Sequence, residues 1–166
     1  MVQSWETRFH QLADALLPQL QGDEAVRLTL TAEKSQFTRF NQAKVRQTGQ
    51  VVSGDLTLTL MGQRRSATAT LPFTGDKGSD WPLLASTLAD LRAELLALPP
   101  DPYLVLPAGN ATSRELYTGT LLPPEQVVPH LLPALEGLDA AGLYAGGTAV
   151  RAYADSAGQR HWFETE

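Results

Sequence analysis

AVRLTLTAEKSQFTRFNQAKVRQTGQVVSGDLTLTLMGQRRSATATL, residues 25–71, is the stretch on which the fold turns. Val26, Leu28, Leu30 and Ala32 alternate with Arg27, Thr29, Thr31 and Glu33, so one face of this segment is apolar and the other wet. Period-two alternation of this length predicts a β-strand. Short segments at 37–40 and 44–47 follow, with Asn41 and Gln42 as turn residues between them. Leu56, Leu58 and Leu60 alternate with Asp55, Thr57, Thr59 and Met61, and Gly62-Gln63 turns the chain into a fifth segment, 65–71. Spacers this short force antiparallel neighbours, because a parallel partner needs a crossover of a dozen or more residues. The apolar face of such a sheet needs a cover.

The flanking sequence supplies it. Ser4 is a candidate N-cap with Glu6 in the first turn, and Trp5, Phe9, Leu12, Leu16 and Leu20 recur at helical spacing until Pro18 interrupts. After a loop at 72–80, Asp80 is expected to cap a second helix with Pro82 in its first turn. Leu84, Leu88, Leu91, Leu95 and Leu98 form its stripe, and Pro99-Pro100 stops it. Residues 101–120 show no periodicity and read as an irregular connector. A third, proline-kinked helix opens at Pro123-Pro124-Glu125, carries Val128, Leu131, Leu135 and Leu138 on one stripe, and ends at Gly137. A hairpin is expected next, 142–145 and 148–154 around a Gly146-Gly147 turn. The turn Asp155-Ser156-Ala157-Gly158 then leads to a last strand at 159–164. The order predicts a single α+β domain over residues 1–166: a two-layer, mostly antiparallel β-sheet with two to three amphipathic helices packed on one face.

Composition narrows the function classes. At 166 residues the chain has the size of one domain, able to bury roughly two-thirds of its unfolded surface. Hydrophobic residues make up 43%, too many for disorder at a net charge of only −5. The acidic balance argues against a nucleic-acid partner, which calls for a basic footprint. No window approaches the ~20 apolar residues of a membrane helix. Glu6, His10 and Asp14, interleaved near the start, argue against a signal peptide. The absence of cysteine excludes disulfides, thiolate ligands and a cysteine nucleophile, and a cytoplasmic location is expected.

No catalytic constellation stands out. His10, His130 and His161 lack zinc-motif spacing. His10 and Asp14 share a helix face at i and i+4, where a solvated surface pair is the simpler account. Gly142, Gly146 and Gly147 do not have the spacing of a phosphate loop. Asp76 with Asp80, and Glu164 with Glu166, have no reason to be desolvated, which a raised catalytic pKa requires. Metal ligands and cofactors are therefore expected to be absent. Arg39, Lys44, Arg46, Arg64 and Arg65 do concentrate positive charge on the strand block. They read either as a rim for acidic groups or as protection of an edge strand against aggregation. Arg39, Phe40, Arg46, Arg64 and Arg65 are the candidate peptide contacts.

Several stretches resemble the first domain of the TldD/PmbA family. They are Thr38-Arg39-Phe40 with Asn41 and Val45 after it, the strand containing Gly54, and Gly62-Gln63-Arg64-Arg65-Ser66-Ala67. Leu98-Pro99-Pro100-Asp101-Pro102-Tyr103, Gly142-Leu143-Tyr144 and the run from Arg151 to Gln159 add to the likeness, which spans residue 28 onward. The resemblance implies a cytoplasmic bacterial or archaeal protein of a group described as gyrase modulators and as metallopeptidases, in which paired subunits trim peptides. In that family a zinc-binding HExxxH helix follows the first domain in one subunit type, and this chain has no HExxxH. The implied role is a non-catalytic domain that contributes to a peptide chamber and a subunit interface, with an extended peptide adding to an exposed sheet edge. A peptide or protein partner and homo- or hetero-dimerisation are expected on this basis. The alternative is a small adaptor or chaperone that holds a partner protein through its sheet or helices.

Overall fold

The computed structural model describes residues 4–166. Its elements are α1 (Trp5–Leu16) with a 3-10 turn at Leu17–Gln19, β1 (Ala25–Asn41), β2 (Lys44–Gly62), β3 (Arg65–Pro72), α2 (Lys77–Ala97), β4 (Thr112–Tyr117), α3 (Pro124–Leu131) with a 3-10 turn at Leu132–Leu135, β5 (Ala141–Asp155) and β6 (Arg160–Thr165). The class is α+β. Six strands form one sheet in the order β3-β2-β1-β5-β6-β4. Two-residue turns make β1, β2 and β3 antiparallel neighbours. Ser156 N–H donates to Val26 O at 3.1 Å, while Gly147 lies against Lys34 and Ser35, so β5 runs antiparallel to β1. Only β4 departs from this pattern. Arg160 pairs with Ala111 and Glu166 with Tyr117, so β4 and β6 advance together as parallel strands.

The chain divides into two compact units. The first takes in the chain up to Ala32, Ser53–Glu115 and Val150–Phe163. Its core is the predicted one: Phe9, Leu12 and Leu16 of α1, and Leu84, Leu88 and Leu91 of α2, pack on Val26, Leu28, Leu30, Leu56, Leu58 and Leu60 of the sheet, with Trp162 of β6. The two helices thus cover one apolar sheet face. Each of these side chains contributes roughly 1.5–3 kcal/mol by leaving water. Ser4 caps α1 as expected, its Oγ accepting from Thr7 N–H at 3.2 Å.

The cap of α2 differs from expectation. Asp76, not Asp80, accepts the Ser79 N–H at 2.9 Å, so the helix starts earlier and Pro82 falls in its second turn. Asp80 is 1% exposed and folds back on the preceding loop. Its carboxyl accepts from Thr74 N–H at 2.9 Å, Thr74 Oγ1 at 2.7 Å and Gly75 N–H at 2.9 Å. Three donors in the loop outcompete a single capping bond.

The second unit takes in Glu33–Val52, Leu116–Ala149 and Glu164–Glu166. Here the strand expectations need correction. The segments expected at 37–40 and 44–47 are parts of β1 and β2, which run on without a break. β2 is exposed on both faces over 44–47, so no alternation marks it there, whereas β1 buries Thr38 and Phe40 within 37–40. The Gly146-Gly147 turn does not exist either, since β5 passes straight through it. Gly147 is required for another reason: a Cβ there would collide with the Lys34 carbonyl and Ser35. In α3 the buried residue is Val127, at 1% exposure, whereas Leu138 of the expected stripe is 57% exposed. Pro129 and Pro133 limit the helix to eight residues before a 3-10 turn takes over. Gly137 does end this segment, at φ 77°. Finally, the connector expected at 101–120 contains β4, whose six residues are all exposed and so carry no hydrophobic period.

Candidate functional site

The five candidate contacts divide between the two units. In the second unit, Gln42 and Ala43 make the β1–β2 turn at φ 51° and 50°, a left-handed conformation that favours Gly or Asn. Ala43 N–H donates to Ala140 O at 3.4 Å, tying the turn to the start of β5. Arg39 lies 5.6 Å over the Phe37 ring and reaches Gln47 Oε1 at 3.3 Å. Arg46 reaches Gln42 Oε1 at 3.3 Å. The Phe37 ring in turn lies across Gly49, where a Cβ would stand 2.7 Å from it. Residues 34–54 contain four cations and no acidic residue. Among the described residues, Arg39, Lys44 and Arg46 have no carboxylate partner. Phe40 is only 5% exposed and is therefore packed inside rather than offered to a ligand.

Beside this hairpin lies a groove of about 510 Å³, lined by Ala43, Lys44, Val128, Pro129, Leu132, Pro133 and Glu136. Sequence reasoning did not find it, although the prolines four apart at 129 and 133 were its signal. The sheet edge is also open here. β3 pairs with β2 only from Asp55 to Gly62, so β2 projects beyond its outer neighbour over 44–53. A bare edge presents backbone donors and acceptors in register for an added strand.

Arg64 and Arg65 belong to the first unit, at the β2–β3 turn, where Gln63 and Arg64 sit at φ 50° and 58°. Arg65 is committed to the fold: its Nε donates to Leu98 O at the end of α2 at 2.7 Å. Arg64 is exposed, and its carbonyl accepts from Asp101 N–H at 2.6 Å. Gln63 N–H is held by Asp23 Oδ2 at 3.1 Å. Nearby, Glu24 and Arg92 form a two-point ion pair at 2.7 and 2.8 Å that also holds Gln19 O. Hydrogen bonding to Arg92 keeps the Glu24 carboxyl below its ordinary pKa.

The three histidines are not gathered. His130 is exposed, with Nδ1 3.0 Å from Gln126 O. His10 packs on Phe9 and Trp162, and burial lowers its pKa, with Arg160 acting in the same direction against Glu6 and Asp14. Asp14 pairs with Arg160 at 3.5 Å instead of sharing a ligand with His10. His161 lies between Ser113 and Gln159, its Nδ1 2.9 Å from Ser113 Oγ. Among the described residues, no three metal-ligating side chains converge. Among the described residues, no helix is long and apolar enough to cross a membrane.

No known sequence family matches the chain, and no curated protein does. Solved structures do match. A proposed modulator of a DNA gyrase from Thermotoga maritima superposes on 98% of this chain with a TM-score of 0.70 at 9% identity. TldE from Thermococcus kodakarensis covers 85% with a TM-score of 0.64 at 11% identity. A second proposed gyrase modulator, from Bacteroides thetaiotaomicron, covers 99% with a TM-score of 0.64 at 16% identity. The chain spans 37%, 34% and 39% of these proteins, little more than a third of their length. The fold implied by the TldD/PmbA resemblance is therefore the fold this chain has, that of one part of TldE and of the gyrase-modulator proteins.

Proposed function

We propose that this chain is a part of a TldD/PmbA-like protein that does not carry its peptidase chemistry, shaping a peptide chamber and contributing to a subunit interface. The observation that carries the reading is the superposition of 98% of the chain on 37% of a much longer protein. The metallopeptidase chemistry and cytoplasmic setting of the family enter through that likeness alone. Peptide capture draws its support from the bare β2 edge at 44–53, where main-chain pairing tolerates varied sequences. Lys44 and Arg46 then favour peptides with acidic side chains. Titration of an extended acidic peptide into the chain, followed by amide chemical shifts, is the test. The expected shifts cluster on 44–53, and an unchanged edge overturns the reading.

A second reading, an adaptor that holds a protein partner or a second copy of itself, draws on Leu138 and Leu143, 57% and 62% exposed in the same unit. Light scattering on a sizing column together with a pull-down discriminates the two: a tight self-dimer that also captures one specific partner favours the adaptor.

A further inference from the structure

A chain of polar side chains between β4, β5 and β6 has no part in peptide capture. Ser113 Oγ lies 2.9 Å from His161 Nδ1, and His161 Nε2 lies 3.3 Å from Gln159 Oε1. Gln159 Nε2 donates to Ala108 O at 2.8 Å and to Asp155 Oδ2 at 3.0 Å. Asp155 is 1% exposed. Its Oδ1 takes the N–H groups of Ala157, Gly158 and Gln159 at 2.9 to 3.0 Å, and its Oδ2 takes the Tyr153 hydroxyl at 2.9 Å.

These partners set the direction of every bond. A carbonyl and a carboxylate can only accept, so both amide protons of Gln159 are committed and its Oε1 faces the imidazole. Oε1 can only accept as well, which places the proton of the neutral imidazole on Nε2. The Nδ1 lone pair is then aimed at Ser113, whose hydroxyl must donate to it. The Tyr153 ring, 5.9 Å from the imidazole, braces the ring against rotation. A hydroxyl that donates to a base whose tautomer is held by a third group is the arrangement of an activated nucleophile. Ser113 is exposed on β4, within reach of small reagents.

We propose that Ser113 is a nucleophilic serine that accepts acyl groups from activated esters, with His161 as its general base and Gln159 and Asp155 as positioning residues. In the step, an Oγ lone pair attacks the ester carbonyl carbon. The Oγ–C bond forms, the bond to the leaving oxygen breaks, the Oγ proton passes to His161 Nδ1, and that proton leaves with the departing alkoxide or phenoxide. No electron acceptor or donor is needed.

Incubation of the whole chain with p-nitrophenyl acetate, followed by peptide mapping in the mass spectrometer, tests this. The expected product carries one acetyl group on the Ser113 peptide, lost in Ser113→Ala and formed about 100-fold more slowly in His161→Gln. Acetylation confined to lysines and the N-terminus overturns it. A second variant guards against misfolding as an explanation. The chain has no cysteine, so Ser113→Cys introduces a single thiol whose alkylation by iodoacetamide can be timed. Adding His161→Gln, or Gln159→Leu, is expected to slow that alkylation at least about tenfold with the circular dichroism unchanged. Equal rates in the three proteins overturn the proposal, because a purely structural pin would leave thiol reactivity untouched.

Discussion

The two units differ most in what they bury. The first holds an unbroken cluster from Phe9 to Trp162, with Leu56, Leu58, Leu60 and Leu84 fully buried. In the second, among the described residues, only Thr38, Phe40 and Val127 are buried. Both are built on the same strands, β1, β2 and β5, and only the covering differs. Two leucine-rich helices roof the first unit, whereas the second has one short helix broken by prolines. Apolar surface removed from water is what opposes conformational entropy. The first unit therefore has the means to hold its shape, and the second keeps apolar groove walls, an open strand edge and unpaired cations for something else to meet.

The sharpest test lies within β2, which passes through both units. Amides at 56–60 are expected to exchange with solvent only on near-global unfolding, and those at 44–52 by local opening, a difference on the order of 1,000-fold or more. Equal protection along the strand breaks the contrast. Next in size, Leu58→Ala is expected to lower stability by about 2–5 kcal/mol in urea unfolding, through lost burial and a residual cavity. Leu143→Ala in the second unit should stay within about 0.5 kcal/mol. Comparable costs at the two positions would mean that the second unit has a core of its own.

Smaller effects sharpen the picture. Each unit contains a two-residue turn with both residues at positive φ, Gln42-Ala43 and Gln63-Arg64. Replacing either pair by Asn-Gly suits that backbone and is expected to raise stability by about 0.5–1 kcal/mol, since relief of left-handed strain exceeds the entropy that Gly adds to the unfolded chain. The gain should be visible in global unfolding at 63–64, and chiefly in slower local exchange at 42–43. Smallest is a pH effect confined to the first unit. Burial lowers the His10 pKa below its ordinary value of 6.5, so the unfolded chain binds the proton more readily. Stability is therefore expected to fall as pH drops from about 6.5 through the folded-state value. His10→Gln should flatten that part of a melting-temperature profile, and an unchanged slope would place the effect elsewhere.

Legibility followed burial. Val26, Leu28, Leu30 and the Leu56-Leu58-Leu60 triplet announced their strands because one face of each is covered. The stripe of Leu84, Leu88, Leu91 and Leu95 announced α2 for the same reason. β4 gave no sign because all six of its residues are exposed, and an exposed strand has no face to mark. Gly146-Gly147 misled because glycine serves both for turns and for close approach of a neighbouring strand, and only the neighbour distinguishes the two uses. Of the candidate contacts, Arg39 and Arg46 stand exposed on the hairpin, Arg64 is exposed in the other unit, Phe40 is buried and Arg65 is bound to Leu98 O. A list of basic residues could not separate these fates.

By itself, then, the sequence determined the α+β class, the antiparallel core strands and the two helices that roof them, since each follows from a local period of apolar residues. Only the tertiary structure decided the open edge of β2, the groove beside α3, the parallel β4 and the meeting of Ser113 with His161. These depend on which distant segments lie side by side, and hydrophobic periodicity, being a property of neighbours along the chain, carries no record of that.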